Sequence, residues 1–177
     1  MTLISILPLE KDDAKLIVQW NEGTTSDFLQ QWTGQGYEFP ITESQIIERI
    51  DNEPTSGYKL YKILLEDTVI GTIELLYIDE EKKYAHFGRF LINPIYAGKG
   101  YGTTALNEFA CKVFKDFKIN TLGLTVFDYN KSAIRCYEKA GFKVVDEETR
   151  PNGWVAIRMH KTNPVYECSF NNKFFIS

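Results

Sequence analysis

The apolar positions of the chain change period several times, and each change marks an element. Residues 3–7 form a short apolar run suited to an edge strand. Asp12 and Asp13 precede Leu16, Ile17 and Trp20, which share one helical face behind acidic capping residues. Residues 21–41 lack a sustained period. They are rich in Gly, Thr and Gln but carry Phe28, Trp32, Tyr37 and Phe39, and a segment of this length is either functional or mobile. Thr42-Glu43-Ser44-Gln45 fits a capping box, in which Thr42 and Gln45 satisfy orphan amides and Ile46, Ile47 and Ile50 supply the buried stripe of a short helix.

From residue 58 the period becomes two. Residues 58–66 and 69–78 read as strands joined by the tight Asp67-Thr68 turn, an antiparallel hairpin. A charged turn over 79–83 leads into a third strand, 84–92, stopped by Asn93-Pro94. Leu106, Phe109, Ala110, Val113, Phe114 and Phe117 then follow helical spacing. Residues 121–127 alternate again, and Asn130 opens a helix through Ala133, Ile134 and Tyr137 that ends at Gly141. Residues 142–147 and 154–160 form a last hairpin around Pro151-Asn152-Gly153. The order β-α-α-β-β-β-α-β-α-β-β predicts a mixed α/β fold in a single domain, 1–161. The extension 162–177 has no clear period, although Phe170, Phe174, Phe175 and Ile176 are apolar. An added edge strand and packing at an interface both remain open for it.

Composition narrows the class. Of 177 residues, 44% are hydrophobic and 25% charged, which excludes disordered and fibrous chains and leaves room for a full core. A net charge of −4 argues against a generic grip on nucleic acid or anionic membrane. No apolar run approaches the roughly 20 residues of a bilayer span. The opening MTLISILPLEKDD lacks the pattern of a signal peptide. Three cysteines without metal-type spacing suit a reducing cytoplasm, and two distant histidines make a metal site an unlikely expectation. Cys111 and Cys136, within helices beside apolar neighbours, read as small core residues.

The candidate chemistry begins at Asn93-Pro94-Ile95-Tyr96-Ala97-Gly98-Lys99-Gly100-Tyr101-Gly102-Thr103. Alternating glycines between a strand and an amphipathic helix let several N–H groups converge on one anion, and the helix dipole adds to the attraction. A diphosphate is the natural ligand. The dinucleotide fingerprint and the Walker loop both fail here: the spacing is G-x-G-x-G, and no Gly-Lys-Ser/Thr follows. A turn that binds nothing is the remaining alternative.

A second segment runs Leu124-Thr-Val-Phe-Asp-Tyr-Asn-Lys-Ser-Ala-Ile-Arg-Cys-Tyr-Glu-Lys-Ala-Gly-Phe142. Together the two resemble the GNAT superfamily of acyl-CoA-dependent N-acetyltransferases. The first is similar to the family's pyrophosphate motif, Arg/Gln-x-x-Gly-x-Gly/Ala. The second is similar to its motif Asn-x-x-Ala-x-x-x-Tyr-(Glu)-(Lys)-x-Gly-Phe. Element order over about residues 1–161 agrees, and the order also resembles the branch containing ribosomal-protein N-terminal acetyltransferases. Ala97 departs from the pattern where the loop usually opens with Arg or Gln, which removes a side chain but no amide.

The resemblance implies a mostly antiparallel central sheet flanked by helices. It further implies acetyl-CoA as co-substrate, no metal, and direct attack by an amine in a ternary complex. Gly98, Lys99, Gly100, Tyr101, Gly102 and Thr103 would hold the diphosphate, with Asn130 opening the next helix. Phe90, Leu91 and Ile92 would line the pantetheine arm, with an amide near Leu91 polarising the thioester carbonyl. Tyr137 stands at the family's position for the general acid, a phenol of pKa about 10 that is protonated at neutral pH. Glu74 and His86 are candidate bases. With the turn centred at Glu81 they lie diagonally on one sheet face. A solvent-facing Glu, a surface His and deprotonation through water remain open beside them.

Trp32, Tyr37 and Phe39, with Glu22, Asp27 and Glu38, offer rings and carboxylates suited to a cationic amine. Lys131 and Arg135, on the helix opened by Asn130, would approach the cofactor's ribose phosphate, but a solvated helix face explains them better. The expected acceptor is a small molecule or a protein N-terminus, met by a monomer or homodimer in the cytoplasm without nucleic acid or membrane. A non-catalytic acyl-CoA-binding module is the other reading, distinguished by whether thiol is released.

Overall fold

The computed structural model describes residues 3–164. Strand β1 (Ile4–Pro8) leads into a single 3₁₀ turn (Lys11–Asp13) and three helices: α1 (Ala14–Trp20), α2 (Ser26–Thr33) and α3 (Glu43–Ser56). Strands β2 (Lys59–Leu65), β3 (Thr68–Asp79) and β4 (Tyr84–Ile92) follow as a meander. Then come α4 (Tyr101–Phe117), β5 (Thr121–Phe127), α5 (Lys131–Lys139), β6 (Lys143–Thr149) and β7 (Val155–Thr162). The seven strands form one sheet in the order β1-β2-β3-β4-β5-β7-β6, with β1 at one edge as the apolar run 3–7 implied. Only β4 and β5 run parallel. The last strand continues to Thr162, and the expectations for 165–177 fall outside the described residues.

Sequence period two sorts the sheet into two faces. Ile63, Ile73, Leu75 and Phe87 join Leu106, Phe109 and Val113 of α4 in the larger core, with Tyr137 of α5 at its margin. On the other face Ile17, Leu29 and Ile46 bring α1, α2 and α3 onto Leu60. Burying each large aliphatic side chain contributes about 1.5–3 kcal/mol, so the two clusters fix which way each helix faces.

Helix α2 is the element that the period did not announce. Thr25 caps it by accepting from the Phe28 amide at 3.1 Å, Leu29 and Thr33 are buried, and Gly34 at φ 59° ends it. The capping box at 42–45 is made by half. Thr42 Oγ1 accepts from the Gln45 amide at 3.4 Å, but the Gln45 side chain instead accepts from the Glu38 amide and donates to the carbonyls of Glu38 and Pro40. Gln45 thus pins the connection between α2 and α3.

Two irregularities in the β3–β4 pair matter for the site. The register about Glu81 holds where Glu74 faces Gly88, but nearer the turn an extra residue in β3 places Tyr77 opposite His86. Further along, Thr72 faces Leu91, so β4 carries one extra residue between Gly88 and Leu91. That bulge contains Arg89, at φ 48°.

Candidate active site

The parallel pairing of β4 with β5 stops after three residues, at His86 and Gly123. Beyond them the strands diverge, and a cavity of about 620 Å³ occupies the gap. Its walls are β4 from His86 to Ile92 and β5 from Leu124 to Phe127. One end is closed by the glycine loop and α5, the other by Phe28, Gln30, Gln31, Trp32, Thr33 and Gly34 of α2 and the turn after it. A diverging pair leaves backbone N–H and C=O groups without a ladder partner, so an extended ligand is able to pair with them as a strand would.

Gly98, Gly100, Gly102 and Thr103 line the loop end. Gly98 and Gly100 stand at φ 74° and 83°, left-handed backbone that any side chain would strain, and open space surrounds both α-carbons. Gly100 is the N-cap of α4, so the loop aims at the cavity the amides that the helix leaves unpaired. Lys99 and Tyr101 do not line it. Lys99 lies over the Tyr96 ring at 5.7 Å, and Tyr101 packs on Tyr96 and the core. Asn130 does line it, while its Oδ1 caps α5 by accepting from the Ala133 amide at 3.2 Å. Ser132, Arg135 and Lys139 also face the cavity from α5, whereas Lys131 does not. The two cations beside the loop supply the charge that a polyphosphate needs.

Phe90, Leu91 and Ile92 line the cavity, as does Tyr137. The phenol ring is wedged among Phe87, Phe90 and Phe142, with centroids 6.1–6.3 Å away. Burial, and secondarily the neighbouring Cys136, push its hydroxyl well above its ordinary pKa, so it stays protonated. Lys161 of β7 donates to the carbonyl of Ala140 at 2.6 Å and fixes the end of α5 that carries this ring.

The two candidate bases have separate surroundings. Glu74 is 2% exposed and does not line the cavity. Its carboxylate accepts from Arg49 Nε and Nη2 at 2.9 and 2.8 Å, from Arg89 Nη1 at 2.6 Å and from the Tyr37 hydroxyl at 3.2 Å. A carboxylate so fully engaged is a structural anion, which corrects the expectation of a general base. His86 lines the cavity where the strands part. Its Nδ1 meets the Tyr84 hydroxyl at 2.7 Å and its Nε2 lies 3.4 Å from Thr125 Oγ1. Burial, with the charges of His160 and Arg158, lowers it to about 4, so it is neutral near pH 7.

Of the expected acceptor residues, Trp32 alone lines this cavity, with its indole N–H donated to Asn21 Oδ1 at 3.1 Å. Tyr37 is turned to Glu74. Phe39 is half exposed beside a separate, smaller hollow that Glu22 also lines. Glu22, Asp27 and Glu38 are absent from the main cavity wall, which corrects the expectation of carboxylates around a cationic amine. One cysteine expectation changes: Cys111 is exposed, whereas Cys136 packs against the core as expected and also lines the cavity, 3.7 Å from Thr103 Oγ1. Arg89, Thr125 and Phe127 were not singled out in the sequence, and strand alternation alone offers no signal for them. For Gln30, Gln31 and Thr33 the Thr25 cap and the Gly34 stop were the available signal. Among the described residues no cluster of His, Cys, Asp and Glu forms a metal site, and no helix is long and apolar enough to cross a membrane.

The chain is 25% identical to the spermidine N(1)-acetyltransferase of Escherichia coli K12 over 144 residues, 81% of this chain and 75% of that protein. The crystal structure of spermidine N-acetyltransferase from Vibrio cholerae in complex with CoA and spermine superposes with a TM-score of 0.77 at 19% identity. It covers 93% of this chain and 98% of that one. The aminoglycoside acetyltransferase AAC(6')-Ib with ribostamycin and coenzyme A gives 0.76 at 22%, covering 93% and 96%. At such identities the structural likeness establishes the fold. The acetyltransferase (GNAT) family matches residues 19–142, well over half of the chain, and the protein therefore belongs to that family of acyltransferases.

Proposed function

We propose that the protein transfers the acetyl group of acetyl-CoA to a primary amine by direct attack, both substrates being held together in the cavity between β4 and β5. The observation that carries this reading is the continuity of one cavity from the anion-binding loop, past Tyr137, to α2. Gly98, Gly100, Gly102 and Thr103 would hold the diphosphate, with Arg135 and Lys139 beside them, and the glycine geometry fits such a group. When bound, acetyl-CoA supplies an activated thioester. The β4 bulge interrupts the ladder around Arg89 and Phe90, freeing an amide to polarise a carbonyl near Leu91. The Tyr137 hydroxyl donates a proton to the departing sulfur. His86, neutral and open to the cavity, accepts the amine's proton directly or through water, with weak driving force because its pKa is low. Trp32 and Phe28 offer ring faces to the acceptor, a small amine or a protein N-terminus. A monomer and a homodimer are both compatible with this reading. The sparse cysteines fit the reducing cytoplasm as its location.

The test is thiol release from acetyl-CoA with spermidine, kanamycin A and a peptide beginning with alanine, beside calorimetry with coenzyme A. Amine-dependent release supports the reading. Coenzyme A binding without release to any amine indicates a binding module instead, and no binding overturns both.

A further inference from the structure

Arg89 neither faces the anion-binding loop nor moves a proton in the reaction above, yet it is held more tightly than its neighbours. It stands in the left-handed region at φ 48° in the middle of β4, a conformation that disfavours a long side chain. Strained positions of this kind persist where the surroundings over-determine them. Here the guanidinium does so. Its Nε donates to the Thr33 carbonyl at 3.0 Å, and its Nη1 donates to Glu74 at 2.6 Å. Thr33 is the last residue of α2, where helix carbonyls lack helical partners and a cation is favoured. Glu74 is gripped from behind by Arg49 of α3 and by Tyr37. Gly36, in the turn after α2, lies flat on the guanidinium, and a β-carbon there would collide with Nε.

We propose that Arg89 is a positioning residue whose guanidinium clamps α2, the acceptor-side wall, to the β4 bulge beside which the acetyl group is presented. The clamp rests on the acetyltransferase reading for what passes through the cavity. The contacts that make it are independent of that reading. The planar fork holds Nε toward the Thr33 carbonyl and Nη1 toward the Glu74 carboxylate in fixed directions, whereas a lysine ammonium is a single point charge on a flexible stem without that geometry.

Three full-length variants test it. Arg89→Asn keeps a residue tolerant of left-handed backbone and removes the fork, Arg89→Lys keeps the charge, and Gly36→Ala keeps every charge while pushing on the guanidinium. The expected result is amide exchange about tenfold faster over residues 26–36 in Arg89→Asn and Gly36→Ala, with α4 and β5 unchanged. Coenzyme A affinity by calorimetry should stay within about threefold. For spermidine, kanamycin A or the alanine peptide, KM should rise about tenfold with kcat nearly constant, and Arg89→Lys should not restore it. Unchanged exchange over 26–36 would overturn the clamp, and so would a loss of protection spread equally over α4 and β5, the mark of a purely structural role. If Arg89→Asn does not fold, Gly36→Ala decides by the same readouts. Absence of coenzyme A binding in the unaltered protein would overturn the acetyltransferase reading and leave the exchange result to judge the clamp.

Discussion

His86 Nδ1 and the Tyr84 hydroxyl are 2.7 Å apart, two residues from each other on the same face of β4. Tyr77 stacks on the imidazole with 5.4 Å between centroids, and His160 and Arg158 bring further positive charge near it. Burial, and with it the charges of His160 and Arg158, disfavours a second proton on the ring. The folded-state pKa is about 4 against an ordinary 6.5 for histidine, so between those values the unfolded chain binds more protons than the folded one. Stability contributed by neutral His86 is therefore complete above about pH 6.5 and declines as the pH falls toward 4. Thermal melts of the protein and of His86→Gln from pH 7.5 to 4.5 should converge on acidification. Parallel curves would refute the assignment.

Tyr137→Phe removes one oxygen from a ring held by Phe87, Phe90 and Phe142. The packing survives, so coenzyme A affinity and melting temperature should hold. Loss of a positioned proton donor should lower kcat by about 10²-fold. Calorimetry and steady-state rates on the same sample check both halves of the expectation.

Glu74→Gln leaves Arg49 and Arg89 facing a neutral amide in a site only 3% exposed at the Glu74 side chain. Removing one partner of a buried ion pair costs about 3–5 kcal/mol, and the melting temperature should fall by roughly 6–20 °C. An unchanged melting temperature would show that solvent compensates the two guanidiniums.

Cys136 lines the cavity next to Thr103, and burial raises its thiol above the ordinary value, whereas Cys111 is exposed. A maleimide should label Cys111 first and Cys136 slowly. Coenzyme A should slow labelling of Cys136 but not of Cys111, as read by peptide mass spectrometry. Equal protection of both thiols would indicate a general tightening of the fold instead.

Periodicity exposed most of the frame because burial imposes it locally. Strands 84–92 and 121–127 were read with the boundaries they have, and the glycine loop and the Asn130 cap were visible because each rests on neighbours within a few residues. The second half of the site was legible for the same reason. Helix α2 was not read although its Thr25 cap and Gly34 stop are local, because its short buried stripe, Leu29 and Thr33, acquires a role only against the elements packed on it. Glu74 is the clearest contrast. In sequence it is one acid in an apolar strand, and its partners stand 25 and 15 residues away.

The sequence by itself determined the order of the elements other than α2, the glycine loop and the frame that places Tyr137, because hydrogen bonds and side-chain period act over a few residues. Only the tertiary structure decided where β4 and β5 part and which charges neutralise one another. It also decided which residues of 21–41 reach the cavity. Those outcomes depend on the register between strands and on bulges of one residue, and a one-residue slip reverses which face a side chain meets.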